Sequence, residues 1–306
     1  MWGSAKLKCA ILRKNYNVFR LYMKLTNKKP KVENSIKTIN YILQTNCSMA
    51  RFGDGEFYWI FQKRAEGNFE KNSNELSLSL KKVLNSNLSN MIVCIPDVFD
   101  NLDNLTAGAQ HFWQKYLFKE GFATLRLLNK SQQYYDTQCT RPYMDYVKNN
   151  GRDFDTYFNL IKQIWKNRNV LIIEGEKSRF GVNSDILNNA KSVRRVLCPS
   201  ENAFEVYDEI LEKAIACVHT INNPIVLASL GPTATILSYD LSRYNIQTID
   251  VGHLDVEYQW FKMGASKKVS IPGKYVNEAK DKFTAELPSD ILSKYYKEVI
   301  AKVGEE

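Results

Sequence analysis

The chain has 306 residues, 44% of them hydrophobic and 25% charged, which is ordinary globular material with ample core. Six cysteines, at positions 9, 47, 94, 139, 198 and 217, form no C-x-x-C, and no cysteine or histidine pair has ligand spacing. That argues against a zinc module and for buried free thiols in a reducing compartment. The net charge of +9 is local: residues 1–32 carry nine Lys or Arg and no acid, and the remainder holds 33 of each sign, so the neutral body argues against a nucleic acid as main ligand.

The basic segment has helical spacing. Leu7, Ile11, Val18, Tyr22 and Leu25 share one face, and Lys6, Arg13, Arg20 and Lys24 form a stripe on another. Such a helix fits an anionic membrane surface; the alternative is a helix packed on the domain with solvated lysines. Basic residues interrupt the apolar run, so a signal peptide is not expected, and no run reaches transmembrane length.

From Glu33 the pattern alternates. A helix over Ser35 to Gln44 leads into Arg51-Phe52-Gly53-Asp54-Gly55-Glu56. A polar helix follows over Glu75 to Leu84, then a strand from Met91 to Pro96, then an aromatic-rich stretch, Leu105 to Tyr146, read as broken helix. Strands are expected at Asn169 to Glu174, Val193 to Cys198, Pro224 to Leu230 and Ile246 to Val251, with helices from Glu201 to Cys217 and through Tyr244. Ser289 to Val303 has helical spacing. Unbroken apolar strands alternating with helices predict an α/β fold, a mostly parallel sheet covered on both faces. One domain, residues 33–280, is expected between the basic segment 1–32 and a helical tail 281–306.

In such a sheet the turns after the strands share one edge, where ligands bind. Arg51 suits a bidentate contact with a diphosphate, and Gly53 and Gly55 around Asp54 suggest backbone holding charge toward a ligand; a plain β-turn is the alternative. Glu174, Glu176 and Arg179 follow one strand. Ser200 follows another, as helix cap or nucleotide contact. Gly231-Pro232-Thr233 offers a tight turn and a helix start whose N–H groups could receive phosphate. Thr140-Arg141-Pro142-Tyr143 offers a further arginine and aromatic. Neither a Walker A motif nor G-x-G-x-x-G is present.

The densest cluster is Ile249-Asp250-Val251-Gly252-His253-Leu254-Asp255-Val256-Glu257. In extended chain, Asp255 and Glu257 would share a face, a way to hold a hard divalent cation beside a diphosphate. His253 is a candidate base by its ordinary titration range, or a support for these carboxylates. In an inverting sugar transfer the acceptor hydroxyl must lose its proton while a metal or arginine neutralises the leaving diphosphate; Glu174, Glu176, Asp255 and Glu257 could supply both needs.

Taken in order, six segments resemble the GT-D class of bacterial glycosyltransferases: Arg51 to Glu56; Ile173 to Glu176 with Ser178 to Val182; Asn189 to Ser192; Cys198 to Phe204; Leu230 to Thr235; and Asp250 to Tyr258. The resemblance runs from about Ser35 to about Lys280. It implies a Rossmann-like fold, a UDP-sugar donor, a divalent cation (commonly manganese) and a role in bacterial surface polysaccharide or adhesin glycosylation, with a glycan or lipid-linked glycan acceptor. It places metal and catalysis at Asp255 and Glu257, and nucleotide binding at Arg51, Asp54 and Glu56. The nucleotide-sugar set expected in full adds Gly53, Glu174, Glu176, Arg179, Asp185, Ser200, Asn202, Gly231, Pro232 and Thr233. One departure is Asn183-Ser184-Asp185 where the class has Gly-Asn-Asp; Asp185 keeps its place. The expected location is cytoplasmic, peripheral to the inner face of the membrane. Competing readings are a metal-dependent phosphohydrolase using the same carboxylates, and a membrane- or nucleic-acid-binding module built on residues 1–32.

Overall fold

The computed structural model describes residues 2–63, 69–148 and 151–304, with side chains from residue 10 onward. In chain order the main elements are α1 (Trp2–Leu25), β1 (Lys31–Val32), α2 (Ser35–Thr45), β2 (Ser48–Arg51), α3 (Asp54–Ile60), α4 (Asn74–Leu84), β3 (Met91–Ile95), α5 (Ala107–Leu127) and β4 (Gln133–Asp136). There follow α6 (Phe154–Lys162), β5 (Asn169–Gly175), β6 (Ser192–Cys198), α7 (Tyr207–His219), β7 (Pro224–Ser229), α8 (Pro232–Arg243), β8 (Thr248–Asp250), α9 (Leu254–Lys262), α10 (Ser289–Glu298) and β9 (Val299–Lys302).

The strands form one sheet, ordered β1-β4-β3-β2-β8-β7-β5-β6-β9, and its ladders run parallel. Alternation along the central strands shows why their sequences are apolar throughout. Val170 and Ile172 of β5 and Ile225 and Leu227 of β7 join the layer holding Phe158 and Trp260. Leu171, Ile173, Val226 and Ala228 point the other way, onto Ile210 and Leu237. Both faces are covered, as a parallel sheet requires. Cys47, Cys94, Cys139, Cys198 and Cys217 are buried free thiols; Cys9 lies outside the described side chains.

The expected α/β architecture is present, with several local differences. β1, β2 and β4 are two to four residues long, too short for a period-two pattern to stand out. The segment expected to be a helical tail ends in β9, which pairs with β6 and completes the sheet. The helix expected from Glu201 starts as α7 at Tyr207, after a left-handed Asn202 and a 3-10 turn over Ala203–Val206.

Helix α1 packs on the domain, but not through the face its spacing singles out. Tyr16, Phe19 and Met23 are buried, while Ile11, Val18 and Leu25 are exposed. Phe19 lies over Gly121 of α5, where a Cβ would come within 2.9 Å of the ring, and the Tyr16 hydroxyl donates to the Val98 carbonyl at 2.9 Å. Leu7 and Lys6 lie outside the described side chains. No helix among the described residues is long and apolar enough to cross a membrane.

Candidate active site

The turns after β2, β4, β5, β7 and β8 meet at the carboxyl edge of the sheet, around a cleft of about 790 Å3. The strand order explains its position. β2 and β8 are neighbours, but the helices that follow them pack in different layers, Phe57 and Trp59 of α3 in one core cluster and Leu254 and Trp260 of α9 in another; such a divergence opens a crevice.

Arg51, at the end of β2, is the floor of the cleft. Its guanidinium lies 3.4 Å from Asp250 of β8, and its Nε donates to the Thr137 carbonyl at 3.2 Å. Asp250 also accepts from the Thr235 hydroxyl at 3.1 Å and the Gly252 N–H at 3.1 Å. Burial pushes the Asp250 carboxyl above its ordinary range, against the pull of Arg51. Gly252 has a φ of +47°, and a Cβ there would collide with the Arg51 guanidinium. Glycine is therefore required twice over, by backbone and by the close approach.

Asp54, Gly53 and Glu56 line the cleft beside Arg51. Glu56 turns back on its own helix, where it accepts the Gly53 N–H at 2.7 Å. That half of a capping box, the only half a glycine N-cap allows, holds the glycine-rich turn in shape.

The D-x-E pair behaves differently from the extended-chain expectation. α9 begins at Leu254, so both carboxylates sit in its first turn, and residues two apart on a helix diverge by about 200°. Asp255 lines the cleft. One of its oxygens pairs with the buried Lys274, which also donates to the Arg179 carbonyl; its Oδ1 finds no hydrogen-bond partner among the described residues. Glu257 points away, is 0% exposed, and accepts the backbone N–H groups of Tyr143 and Met144 at 2.8 and 2.9 Å. Burial raises its pKa, with Arg141 opposing. It thereby fixes the segment that carries Arg141.

Arg141 reaches into the cleft beside His253, Lys268 and Glu278. Glu278 is the hub: it meets Arg141 at 2.7 Å, His253 Nδ1 at 2.9 Å, and Lys268. Burial opposes its ionisation, but Arg141, His253 and Lys268 together hold its carboxyl well below the usual range. Trp59, Phe69, Phe112, Trp113 and Tyr275 supply aromatic wall. Glu278, Lys268 and Tyr275 were missed from the sequence because they lie in an irregular polar segment without periodicity or motif; Arg141 was visible only as an arginine in a turn.

Several expected ligand contacts lie outside the cleft. Glu174 is fully buried and accepts from Phe180 N–H and Arg195, each at 2.6 Å; Arg195 continues to Glu298 at 2.7 Å. Glu176 faces solvent near Lys302. Arg179 is buried against the Gly273 carbonyl at 2.9 Å and pairs with Glu286. Asp185 accepts from the Tyr258 hydroxyl at 2.8 Å. Ser200 does not cap α7; its hydroxyl accepts the Lys177 N–H at 3.3 Å.

Gly231 does line the cleft, with a φ of +56° that brings its α-carbon against Phe69. Pro232 opens α8 as expected, but neither it nor Thr233 faces the cleft. The Thr233 hydroxyl donates to Glu70 at 3.3 Å, so a carboxylate of the chain itself meets the start of α8. Asn202 bonds Phe69 and Lys71 backbone, at 3.0 and 3.1 Å, and so pins Phe69 at the cleft wall.

Among the described residues no group of three or more His, Cys, Asp or Glu side chains is placed to hold a metal ion. Asp255, whose Oδ1 is buried without a partner beside the cleft, would be a single ligand; a magnesium-type cation commonly takes one or two carboxylates and completes its shell with substrate phosphate and water. Glu257 Oε1 is likewise buried without a partner among the described residues, so position and not donor chemistry separates the two: Asp255 lines the cleft and Glu257 does not.

The GT-D glycosyltransferase fold family matches residues 49–279, a span that holds every cleft turn described above. The chain belongs to the GT-D glycosyltransferases. Two curated relatives of this family are streptococcal. A probable glycosyl transferase, Gly, of Streptococcus gordonii is 32% identical over 272 residues, covering 88% of this chain and 38% of the relative. The glycosyltransferase GlyD of Streptococcus pneumoniae serotype 4 is 35% identical over 243 residues, covering 79% and 29%. The chain thus spans less than half the length of either. Among solved GT-D structures, the domain of unknown function 1792 described as having a distinct glycosyltransferase fold superposes with a TM-score of 0.83 at 31% identity, covering 93% of this chain and 100% of that one. A glycosyltransferase from Streptococcus sanguinis gives 0.82 at 30% identity, covering 90% and 100%.

Proposed function

We propose that this cleft binds a nucleoside-diphosphate sugar, with UDP as the nucleotide, and transfers its hexose to a hydroxyl of a bacterial surface glycan or lipid-linked glycan. The observation that carries the reading is the pairing of Arg51 and Arg141, anchored by Asp250 and Glu278, across a cleft walled by aromatic rings. Fixed guanidinium groups suit a diphosphate, and rings suit a base or sugar and shed water.

The roles divide by position. Arg51 and Arg141 bind and orient the diphosphate, and their carboxylate partners hold them in place before the donor arrives, which lowers reorganisation during reaction. A divalent cation, held by Asp255 and the donor's own phosphate oxygens, would neutralise the leaving diphosphate. His253 takes the proton of the acceptor hydroxyl: Glu278 on Nδ1 favours the tautomer that leaves Nε2 as acceptor. Glu257 acts at one remove, through the Tyr143–Met144 backbone.

The test is release of UDP from UDP-sugars, with and without glycan acceptor and manganese. The reading expects acceptor to accelerate release and chelation to slow it. Release to water alone, unchanged by any acceptor, would instead fit a phosphohydrolase.

A further inference from the structure

Helix α1 carries two apolar faces, and only one is used. Tyr16, Phe19 and Met23 pack inward, whereas Ile11, Val18 and Leu25, spaced by seven, form a stripe on the far side with Leu21 beside it. Val18 is 58% exposed and Leu25 77%. Tyr22, partly buried, lies between this stripe and α5: the Phe122 ring of α5 lies 5.1 Å from Tyr22 and 5.2 Å from Phe19, and Phe118 follows on the same side of α5, 57% exposed. An apolar surface shared by two helices exceeds the scattered exposure normal for a monomer.

The exposed charge of the two helices has one sign, and Asp100, which lies 3.9 Å from Arg20 of α1, is paired with Lys29 at 2.9 Å. Arg13, Lys14 and Lys24 are exposed on α1, and Lys115, Lys119 and Arg126 on α5. α1 contains no acid, and the single acid of α5, Glu120, is buried and paired with Lys63 at 2.7 Å. Apolar side chains rimmed by cations complement the interface of an anionic bilayer, where the chains enter the acyl boundary and the lysines meet headgroup phosphates.

We propose that the bare faces of α1 and α5 form a docking surface for an anionic lipid bilayer. The placement relates docking to the cleft. Phe112, on the same helix, lines the cleft, and Phe118 lies six residues further on, about 9 Å along the axis. Docking therefore engages the same helix whose N-terminal half borders the cleft.

The experiment is flotation of the full chain with vesicles of phosphatidylcholine and phosphatidylglycerol, compared with phosphatidylcholine alone. The chain is expected to float with the anionic vesicles, not with the neutral ones, and to be released as salt rises. The I11S/V18S/L25S variant changes only exposed positions and should bind at least about tenfold more weakly; K14E/K24E, which keeps the apolar stripe, should lose a similar factor. Equal binding to both vesicle types, or undiminished binding by K14E/K24E, overturns the proposal. So does a concentration-dependent dimer in sedimentation that I11S/V18S/L25S abolishes while the wild-type chain ignores vesicles; that surface would then meet a second copy. Vesicle binding involves no turnover, so its failure is distinct from failure of the transferase reading.

Discussion

The turns after β5 and β8 leave the same edge of the sheet, two strands apart, and both carry carboxylates around a glycine. After β5, Glu174 meets Arg195 and the Phe180 N–H, and Arg195 continues to Glu298. Those charges have their partners inside the protein. After β8, Asp250 holds Arg51, yet Arg51, His253 and Asp255 still line open volume. A charge sealed by partners holds the fold; a charge fixed by one partner and facing space can meet a ligand. Turn composition alone does not separate the two cases, because the deciding partners lie elsewhere in the chain.

The comparison breaks most visibly at Asp255. Asp255→Asn is expected to lower turnover by at least about 100-fold, read by steady-state UDP release, whereas Glu176→Gln on the β5 side should leave it within about twofold. Equal losses would erase the distinction between the two turns.

On the sealed side, Arg195→Met leaves Glu174 buried without its charge partner, with only the Phe180 N–H still donating to it. The expected cost is about 3–5 kcal/mol of stability, measured by denaturant unfolding, with donor KM unchanged in the folded fraction. A donor-binding defect without loss of stability would move Glu174 back into the site.

Gly252→Ala sharpens the same contrast. It combines a positive φ with a collision against Arg51, and a cost of about 1–3 kcal/mol should accompany a rise of about tenfold in donor KM, since displacing Arg51 loses about 1.4 kcal/mol or more of binding.

The smallest effect concerns pH. Burial raises the Glu70 pKa from 4.5 to about 7, against the Phe204 N–H and the Thr233 hydroxyl. Its folded value lies above its unfolded one, so its contribution to stability is full below about pH 4.5 and is lost as pH rises through 7. Glu70→Gln should flatten the melting temperature between these limits; an unchanged pH profile would contradict the assignment.

These contrasts also show what the amino-acid pattern could reveal. β5 and β7 were legible because a strand buried on both faces must be apolar along its length, and β6 through its apolar end, Val196 to Cys198. β1, β2 and β4 were not, being too short to show a period, and β9 hid behind α10. At the site, Arg51 was legible because it stands beside a glycine-bracketed charge, Gly53-Asp54-Gly55, which implies a constrained turn; the close approach of Gly252 to Arg51 was not, because it joins residues far apart in the chain. Asp255 and Glu257 were legible as letters but not as geometry: a two-residue spacing reads as one face in a strand and as opposite faces in a helix, and α9 begins one residue before the pair. Glu278 was invisible, since it is assembled by a loop packing over Arg141 and His253.

The central claim is that Arg51 and Arg141 make this cleft a diphosphate site. Calorimetric titration of UDP-sugar into wild-type, Arg51→Met, Arg141→Met and Arg179→Met chains tests it directly. Saturable binding to wild type, weakened about tenfold or more by Arg51→Met and Arg141→Met but unchanged by Arg179→Met in folded protein, is the predicted result. Binding that survives loss of both cleft arginines, or that depends on Arg179 instead, would contradict it.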